Sequence, residues 1–371
     1  MENKFLYSSI FGELTKQTQI RFDAASRLHK QLFDNVIYER FLTWDFPTIG
    51  LNFEELKGKY NISIAAATID NKSKEPVIGS QGLETITEKI LYHALTLPMT
   101  IDDYRKVLQI LDSRAIPEDV AKRQLVELMF GNVMTVVNAI HAKEDIIFLG
   151  ALSNEGVATL NDQNNPEGGV KTTINYNMPD ENKAKVTLAW TEGNINNVDC
   201  LEDLQAVVDA AQDKTVFDRI LLAPSKISYM LRNKKLKQAI FGTDKSSSPL
   251  LINDLNEYLR SNEFPILEPI RRQCMIQNNG TLTAYNPWNA DNIVFVPAGK
   301  LGVVKNAYAN NELRPEPLVT YSNYGRIRVS QWGVGETQNS NGVEFAKAES
   351  LSLPVITEIN GIYSLNTAQG K

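Results

Sequence analysis

The longest regular pattern of apolar and polar positions in the chain runs through residues 116–150. Apolar residues recur there at spacings of three and four, which predicts a long helix with one buried face. The apolar face comprises Leu125, Val126, Met129, Phe130, Val133, Val136, Val137, Ile140 and Ile147. The polar face comprises Arg123, Gln124, Glu127, Gly131, Thr135, Asn138 and Asp145. Pro117, Glu118 and Asp119 are typical of a helix N-terminus. We therefore predict a helix over residues 117–150, about 50 Å long at ~1.5 Å per residue.

The segments before this helix have weaker patterns. Residues 1–50 predict an amphipathic helix or extended arm that must bury its apolar side chains against another surface. These side chains are Phe22, Leu28, Leu32, Phe33, Ile37 and Phe41. Residues 60–80 predict a protruding hairpin whose charged turn, DNKSKE, carries Lys72 and Lys74 near the tip. Ile86, Ile90 and Tyr92 then alternate as in a strand.

Helices and strands interleave between residues 190 and 300. Asp199 and Glu202 have the spacing of a capping box at the start of one helix, and further helices are predicted over residues 225–241 and 250–260. Strands are predicted over residues 217–224, 263–270 and 292–297, and Asn279-Gly280 predicts a tight primed turn between two strands. This order predicts an α/β or α+β lobe.

The C-terminal part predicts strands over residues 324–334, 342–350 and 353–363. It has no helix of its own to cover a sheet, so we expect it to pack on the long helix and on residues 60–100. One lobe would then be assembled from both ends of the chain.

Length and charge limit the possible classes of protein. The 371 residues are enough for two or three packed lobes, and the net charge of −6 argues against broad binding to a phosphate backbone. Cys200 and Cys274 match no metal or redox spacing, which favours two reduced thiols in a cytosolic protein. No apolar run is long enough for a signal peptide or a membrane helix, so we expect neither export by a standard signal nor membrane insertion.

Candidate chemistry is sparse. Gly299-Lys300-Leu301 lacks the upstream glycine and the hydroxyl of a P-loop, and no Gly-x-Ser-x-Gly elbow is present. The histidines, His29, His93 and His141, form no pair at the helical spacing of a metal site. We predict no catalytic residues, no cofactor and no metal.

Two charged clusters remain. Glu144 and Asp145 adjoin near the end of the long helix, where they would bind a cation or, as we expect, lie on a solvated face. Lys234, Lys235 and Lys237 form a small basic cluster that we likewise expect to be solvated.

The order of these parts resembles the Hong Kong 97-type major capsid protein of tailed bacteriophages and related prophages. Three stretches are similar to that family: DIIFLGALSNEGVATL at the helix exit, LEDLQAVVDAAQ followed by FDRILLAPSKISYMLRN, and NIVFVPAGKLGVV before the last strands. The resemblance spans roughly residues 20–365 and rests on order and spacing.

The resemblance implies an α+β capsid fold with named parts. These are an N-terminal arm (1–50), an E-loop hairpin (51–85), a peripheral domain (86–189) with a spine helix (117–150), an α/β axial domain (190–320), and returning strands of the peripheral domain (321–371).

The resemblance also implies a shell protein that forms pentamers and hexamers. These would close into an icosahedral virion capsid around double-stranded DNA, enclosed without sequence-specific binding and assembled in the host bacterial cytoplasm. Expected partners are further copies of the chain and scaffolding, portal and decoration proteins, with no membrane. The expected assembly interface is the hairpin tip, Asp70, Asn71, Lys72, Ser73, Lys74 and Glu75. Some relatives join a lysine of this loop to a neighbour's asparagine, but no feature here requires this of Lys72 or Lys74.

Two alternatives remain open from the sequence. An encapsulin-like compartment would share the fold and enclose an enzyme instead of DNA. An α/β enzyme built on residues 190–300 would need a convergent polar site that the motifs do not show.

Overall fold

The computed structural model describes residues 36–56, 85–98, 105–106, 109, 118–166, 169–242, 248–278, 280–333 and 344–370. The principal helices in these ranges are α1 (Tyr38–Phe41), α2 (Glu118–Ser153), α3 (Cys200–Ala211), α4 (Pro224–Arg232), α5 (Lys234–Phe241), α6 (Ile252–Ser261) and α7 (Asn310–Leu313). The first strands are β1 (Leu42–Trp44), β2 (Asn52–Leu56), β3 (Thr85–Lys89), β4 (Leu91–Pro98), β5 (Val157–Leu160), β6 (Thr172–Asn175), β7 (Lys183–Val186) and β8 (Phe217–Leu222). The later strands are β9 (Ile266–Pro269), β10 (Cys274–Asn278), β11 (Thr281–Tyr285), β12 (Asn292–Pro297), β13 (Gly302–Ala307), β14 (Thr320–Tyr324), β15 (Ile327–Gly333), β16 (Glu344–Val355) and β17 (Tyr363–Gly370).

The long helix α2 confirms the main prediction and continues three residues beyond the predicted end, to Ser153. It ends where Glu155 and Gly156 take left-handed backbone conformations, with φ of 55° and 83°. A Cβ atom on Gly156 would also lie only 3.2 Å from the Met178 side chain. A left-handed residue stops a helix, and the close approach favours glycine at the second of these positions.

The described side chains of α2 begin at residue 133, and from there to residue 140 the predicted apolar residues are buried, together with Met134. Val133, Val136 and Ile140 are buried, whereas Thr135 and Asn138 are exposed. The prediction for Asp145 was wrong, because this residue of the predicted polar face is fully buried. From residue 144 to residue 149 every side chain of the helix is buried, since other elements cover both sides of it.

A six-stranded sheet packs on α2. Its strand order is β1-β13-β16-β15-β14, and β4 also pairs with β16 in an antiparallel ladder from Leu91↔Ser352 to Pro98↔Phe345. Contacts between β16 and α2 confirm that late strands of the chain cover the long helix. Contacts between β16 and β4 confirm the expected pairing with a segment that precedes this helix.

A second, five-stranded sheet has the order β7-β17-β12-β8-β9 and shares a buried core with the helices α3 to α6. Asp199 caps α3 by accepting a hydrogen bond from Glu202 N at 3.2 Å, as the capping spacing predicted. The single helix predicted over residues 225–241 was wrong, because Asn233 divides it into α4 and α5. The extended Asn233 caps α5 at Leu236 N and donates to the Val198 carbonyl, which fixes the break.

The C-terminal strands begin and end at residues different from those predicted. The strand predicted over residues 324–334 is the second half of a hairpin, β14–β15, that turns at Gly325 with φ of 62°. The strands predicted over 342–350 and 353–363 are one strand, β16, through residue 355.

Strand pairing crosses the predicted part boundaries at several places. Strands β7 and β17 pair within the five-stranded sheet, although their residues were placed with the peripheral parts. Strand β13 pairs with β16 in the six-stranded sheet, although its residues were placed in the axial domain. Periodicity predicts that a segment is extended, but it does not name the partner strand.

The predicted hairpin and arm are described only at their bases. Strands β2 and β3 form an antiparallel ladder from Asn52↔Lys89 to Leu56↔Thr85, so the chain leaves and returns side by side. The tip, Asp70–Glu75, lies outside the described residues, as do arm residues 1–35. Ile86 and Ile90 are buried as predicted. The prediction was wrong for Tyr92, which is 51% exposed, because the segment is not one strand but two, β3 and β4, that meet at Ile90.

None of the helices among the described residues combines the length and apolar character that crossing a membrane would require.

The buried face of α2 can be tested at adjacent positions. Val136 is fully buried, so Val136→Asp would place a carboxylate in the core and lower the free energy of unfolding by about 3 kcal/mol or more. Thr135→Asp, on the exposed side, should cost less than about 1 kcal/mol. Soluble yield and thermal midpoint measure both, and equal behaviour of the two variants would contradict the assigned face.

Candidate functional site

The residues expected to form the assembly interface, Asp70 to Glu75, lie outside the described residues. What the structure brings together instead is a group of buried ionisable side chains around the middle of α2. Its buried members are His93, His141, Glu144 and Asp145, and the partly buried Arg272 pairs with Asp145. They come from β4, from α2 and from the segment before β10, so this polar cluster lies where several parts of the chain meet.

Asp145 joins α2 to residues 37 and 38 and to the segment before β10. Its Oδ1 accepts hydrogen bonds from the backbone N–H groups of Ile37 and Tyr38 at 3.0 and 2.8 Å. Its Oδ2 lies 2.7 Å from Arg272 Nε. Burial raises the pKa of Asp145 to about 6, while Arg272 and the two N–H groups act to lower it. The carboxylate is therefore ionised at pH 7 and fixes residues 37 and 38 and the segment before β10 to the helix.

Tyr38 and His141 form a contact between α1 and α2. The Tyr38 hydroxyl lies 2.7 Å from His141 Nδ1, and the two rings are stacked with centroids 5.9 Å apart. Burial, together with nearby carboxylates, raises the pKa of Tyr38 well above its ordinary value. The phenol is therefore neutral and available as a donor to the imidazole.

Glu144 lies on the side of α2 that faces the six-stranded sheet. Its Oε1 accepts a hydrogen bond from the Ser352 hydroxyl and lies 3.7 Å from His93 Nε2. Burial raises the pKa of Glu144 to about 8 and lowers the pKa of His93 to about 3. Both groups are therefore neutral near pH 7, and the contact is between an uncharged acid and an uncharged imidazole.

This arrangement does not resemble a hydrolytic triad. In a triad the histidine contacts the serine that it activates, whereas here Ser352 contacts the acid. Ser352 is fully buried, and Ser350, which shares a 2.8 Å hydrogen bond with it, is also buried. A substrate cannot reach hydroxyls in this position, so the cluster fits a packing role.

The expectation that Glu144 and Asp145 lie on a solvated face was wrong, since both are fully buried. The physical reason is that α1 and Arg272 cover one side of α2 while β4 and β16 cover another. Arg272 was missed as a member of this cluster, and Ser352 and Tyr38 were missed as its hydrogen-bond partners.

The remaining candidate residues are the lysines of α5 and the two cysteines. Lys234 and Lys235 are exposed on α5, as expected for a solvated basic face, and Lys235 Nζ lies 3.9 Å from Asp199, whereas Lys237 is half-buried. Cys200 and Cys274 are both free thiols, and burial raises the pKa of Cys274 to about 11. Across the described part of the chain, no three His, Cys, Asp or Glu side chains are grouped so as to hold a metal ion.

Two grooves adjoin α2. One, of about 720 Å³, lies beside β4 and is lined by His93 and by Lys143, whose Nζ donates to the Asn164 carbonyl at 2.7 Å. The other, of about 850 Å³, lies between α2, β4 and the β10–β11 hairpin. The second groove exposes large apolar side chains of the hairpin, with Met275 60% and Leu282 62% exposed.

The titration of Glu144 gives a testable pH dependence. Its pKa is raised on folding, from an ordinary 4.5 to about 8, so the neutral acid stabilises the fold fully below pH 4.5 and this contribution is lost as the pH rises through 8. Glu144→Gln cannot ionise and should remove this loss. We expect the variant to gain stability relative to wild type by up to about 1.4 kcal/mol per pH unit between pH 5 and 8.

Denaturant unfolding at several pH values measures this difference. Glu257→Gln, which removes an exposed carboxylate, is the control and should run parallel to wild type. A constant difference between Glu144→Gln and wild type over this pH range would show that Glu144 is ionised in the folded protein.

Comparison with known proteins identifies the family. A family model described as phage major capsid protein E matches residues 15–366. No curated protein matches the sequence.

Solved structures with a similar fold include the putative capsid protein of a prophage of Escherichia coli CFT073. The TM-score is 0.54 at 16% identity, with 93% of this chain and 99% of that chain covered. A phage-related protein from Bordetella bronchiseptica RB50 gives a TM-score of 0.48 at 12% identity over 90% of this chain and 92% of that chain. An encapsulin complex from Synechococcus elongatus is more distant, with a TM-score of 0.33 at 10% identity over 90% of this chain and 87% of that chain.

The family match covers nearly the whole chain, and the described fold is that of a phage capsid protein of the Hong Kong 97 type. Both agree with the resemblance seen in the sequence. The chain belongs to the phage major capsid protein E family and is a capsid shell protein.

Proposed function

We propose that copies of this chain form pentamers and hexamers that close into an icosahedral shell around double-stranded DNA. The observation that carries the proposal is the family match over residues 15–366, together with the capsid fold of the described residues. The net charge of −6 supports enclosure of DNA without tight binding, because tight binding needs a concentrated basic surface.

The proposed role is structural, without catalysis or a cofactor. Scaffolding, portal and decoration proteins are the proposed partners, and the host bacterial cytoplasm is the proposed place of assembly. The proposed division into arm, E-loop, peripheral and axial parts keeps the predicted boundaries, with the strand exchanges between sheets described above.

The hairpin that leaves the β2–β3 ladder is the proposed contact with a neighbouring subunit. Its base is a two-stranded sheet that is separate from both larger sheets among the described residues. A two-stranded hairpin is marginally stable alone in water and gains stability by packing on another surface. We place Asp70, Asn71, Lys72, Ser73, Lys74 and Glu75 in this contact.

The purified protein should form rings or closed shells, alone or with a scaffolding protein. Apolar side chains that a monomer leaves in water favour this assembly, among them Phe46 at 82% and Leu318 at 88% exposed. Electron microscopy of the purified protein is the measurement. A compact monomer under all conditions would contradict the proposal, and closed shells that enclose an enzyme instead of DNA would favour the compartment alternative.

Deletion of Asp70–Glu75 should leave the subunit folded and prevent shell closure. The deletion lies well beyond the last ladder pair, Leu56↔Thr85, so the base of the hairpin is kept. Thermal midpoint tests folding, and electron microscopy tests closure. A variant with six glycine and serine residues in place of the segment controls for length, and normal shells from the deletion would remove the E-loop assignment.

A further inference from the structure

The groove of about 850 Å³ between α2, β4 and the β10–β11 hairpin is lined by apolar side chains of the kind that another segment usually covers. Leu95, Met275 and Leu282 line it, and each keeps a large apolar side chain in water. The β10–β11 register sets Met275 opposite Ala284 and Gln277 opposite Leu282, so Met275 and Leu282 lie on the same face of the hairpin. The volume of the groove falls within the ~300–1,000 Å³ of cavities that hold a whole small ligand, so the groove has room for several side chains.

The end of the N-terminal arm lies at this groove. Val36, the first described residue, is buried and lines the groove. The next two residues are fixed by hydrogen bonds from their N–H groups to Asp145, which also pairs with Arg272 on the groove wall. The chain that precedes Val36 therefore starts at the groove and at a fixed point.

The residues just before Val36 carry the side chains that such a groove needs. Phe22, Leu28, Leu32 and Phe33 are apolar, and Leu28 and Leu32 have the spacing of one helical face. As a helix, residues 22–35 would span about 20 Å at ~1.5 Å per residue, which keeps all of them close to their anchor.

We propose that this groove is the binding site for residues 22–35 of the same chain, whose apolar side chains cover Leu95, Met275 and Leu282. A tethered segment has an effective concentration on the order of millimolar, far above that of a second subunit in dilute solution. The anchored position of Val36 therefore favours the chain's own arm over the arm of another copy. This interaction belongs to the single subunit and does not rest on shell assembly.

Thiol modification of unassembled full-length subunits tests the proposal. Met275→Cys places a reactive thiol in the groove, and Val216→Cys places one at a position that is 75% exposed and is not part of the groove lining. The native cysteines are buried, and the parent chain of the same length gives their background rate. A segment bound for nine-tenths of the time should slow maleimide reaction at Met275→Cys by about tenfold relative to Val216→Cys.

Two arm variants connect this protection to the arm. Deletion of residues 1–33 should bring the two rates together. Leu28→Asp combined with Leu32→Asp, in the full-length chain, should accelerate the reaction at Met275→Cys in the same way. This double variant keeps the test decisive if the deletion variant does not fold. Lys30→Asp, about 160° from Leu32 on a helix of 3.6 residues per turn, is the matched control and should leave the protection in place.

Three results would each overturn the proposal. Met275→Cys in the full-length chain could react as fast as Val216→Cys, which would show an open groove. Its slow reaction could persist in the Leu28→Asp, Leu32→Asp variant, which would assign the cover to another part of the chain. Protection that falls on dilution would assign it to a second subunit. Failure of shell assembly would change none of these rates, so the two proposals can fail separately.

Discussion

Burial of every side chain of α2 from residue 144 to residue 149 is the constraint on which the rest of the structure depends. Glu144 and Asp145 are both fully buried there, and an unpaired buried charge costs several kcal/mol, comparable with a domain's entire stability of ~5–15 kcal/mol. The surrounding elements therefore must supply partners. Arg272 and the N–H groups of residues 37 and 38 do so for Asp145, whereas Glu144 is neutralised and accepts a hydrogen bond from Ser352.

The C-terminal end of α2 also contacts the five-stranded sheet. Ser153 Oγ accepts a hydrogen bond from Asn289 N at 2.9 Å, and its carbonyl accepts one from Asn292 Nδ2 at 2.7 Å. Asn292 begins β12, a strand of the five-stranded sheet, while β16 of the six-stranded sheet packs along the same helix. Because one rigid helix contacts both sheets, their relative position follows from the packing of that helix.

Much of the fold was predictable because its signals are local. The spacing of three and four along residues 117–150 predicted α2, and Asn279-Gly280 predicted the β10–β11 hairpin, where Gly280 has a φ of 76°. The break at Asn233 was not predictable from periodicity, because its cause is a distant contact. The Asn233 side chain donates to carbonyls of residues 195 and 198, and no helical pattern contains that information. The exchange of β13 and β17 between sheets was missed for the same reason, since strand partners are set by tertiary packing.

The polar cluster was missed for a different reason, and the sequence did contain a signal for it. Assigning Asp145 to solvent assumes that only one face of the helix is covered. The residues that follow, IIFLGAL, are apolar at every position around the helix except for one glycine, and a helix that is apolar all round is buried all round. A carboxylate one residue before such a run must be buried with it. A buried carboxylate needs a nearby cation, N–H donors or protonation. Asp145 has a cation and N–H donors, whereas Glu144 is protonated. The sequence therefore indicates that Asp145 needs a partner. It does not indicate that the partner is Arg272, because Arg272 lies more than a hundred residues away and only the fold brings the two together.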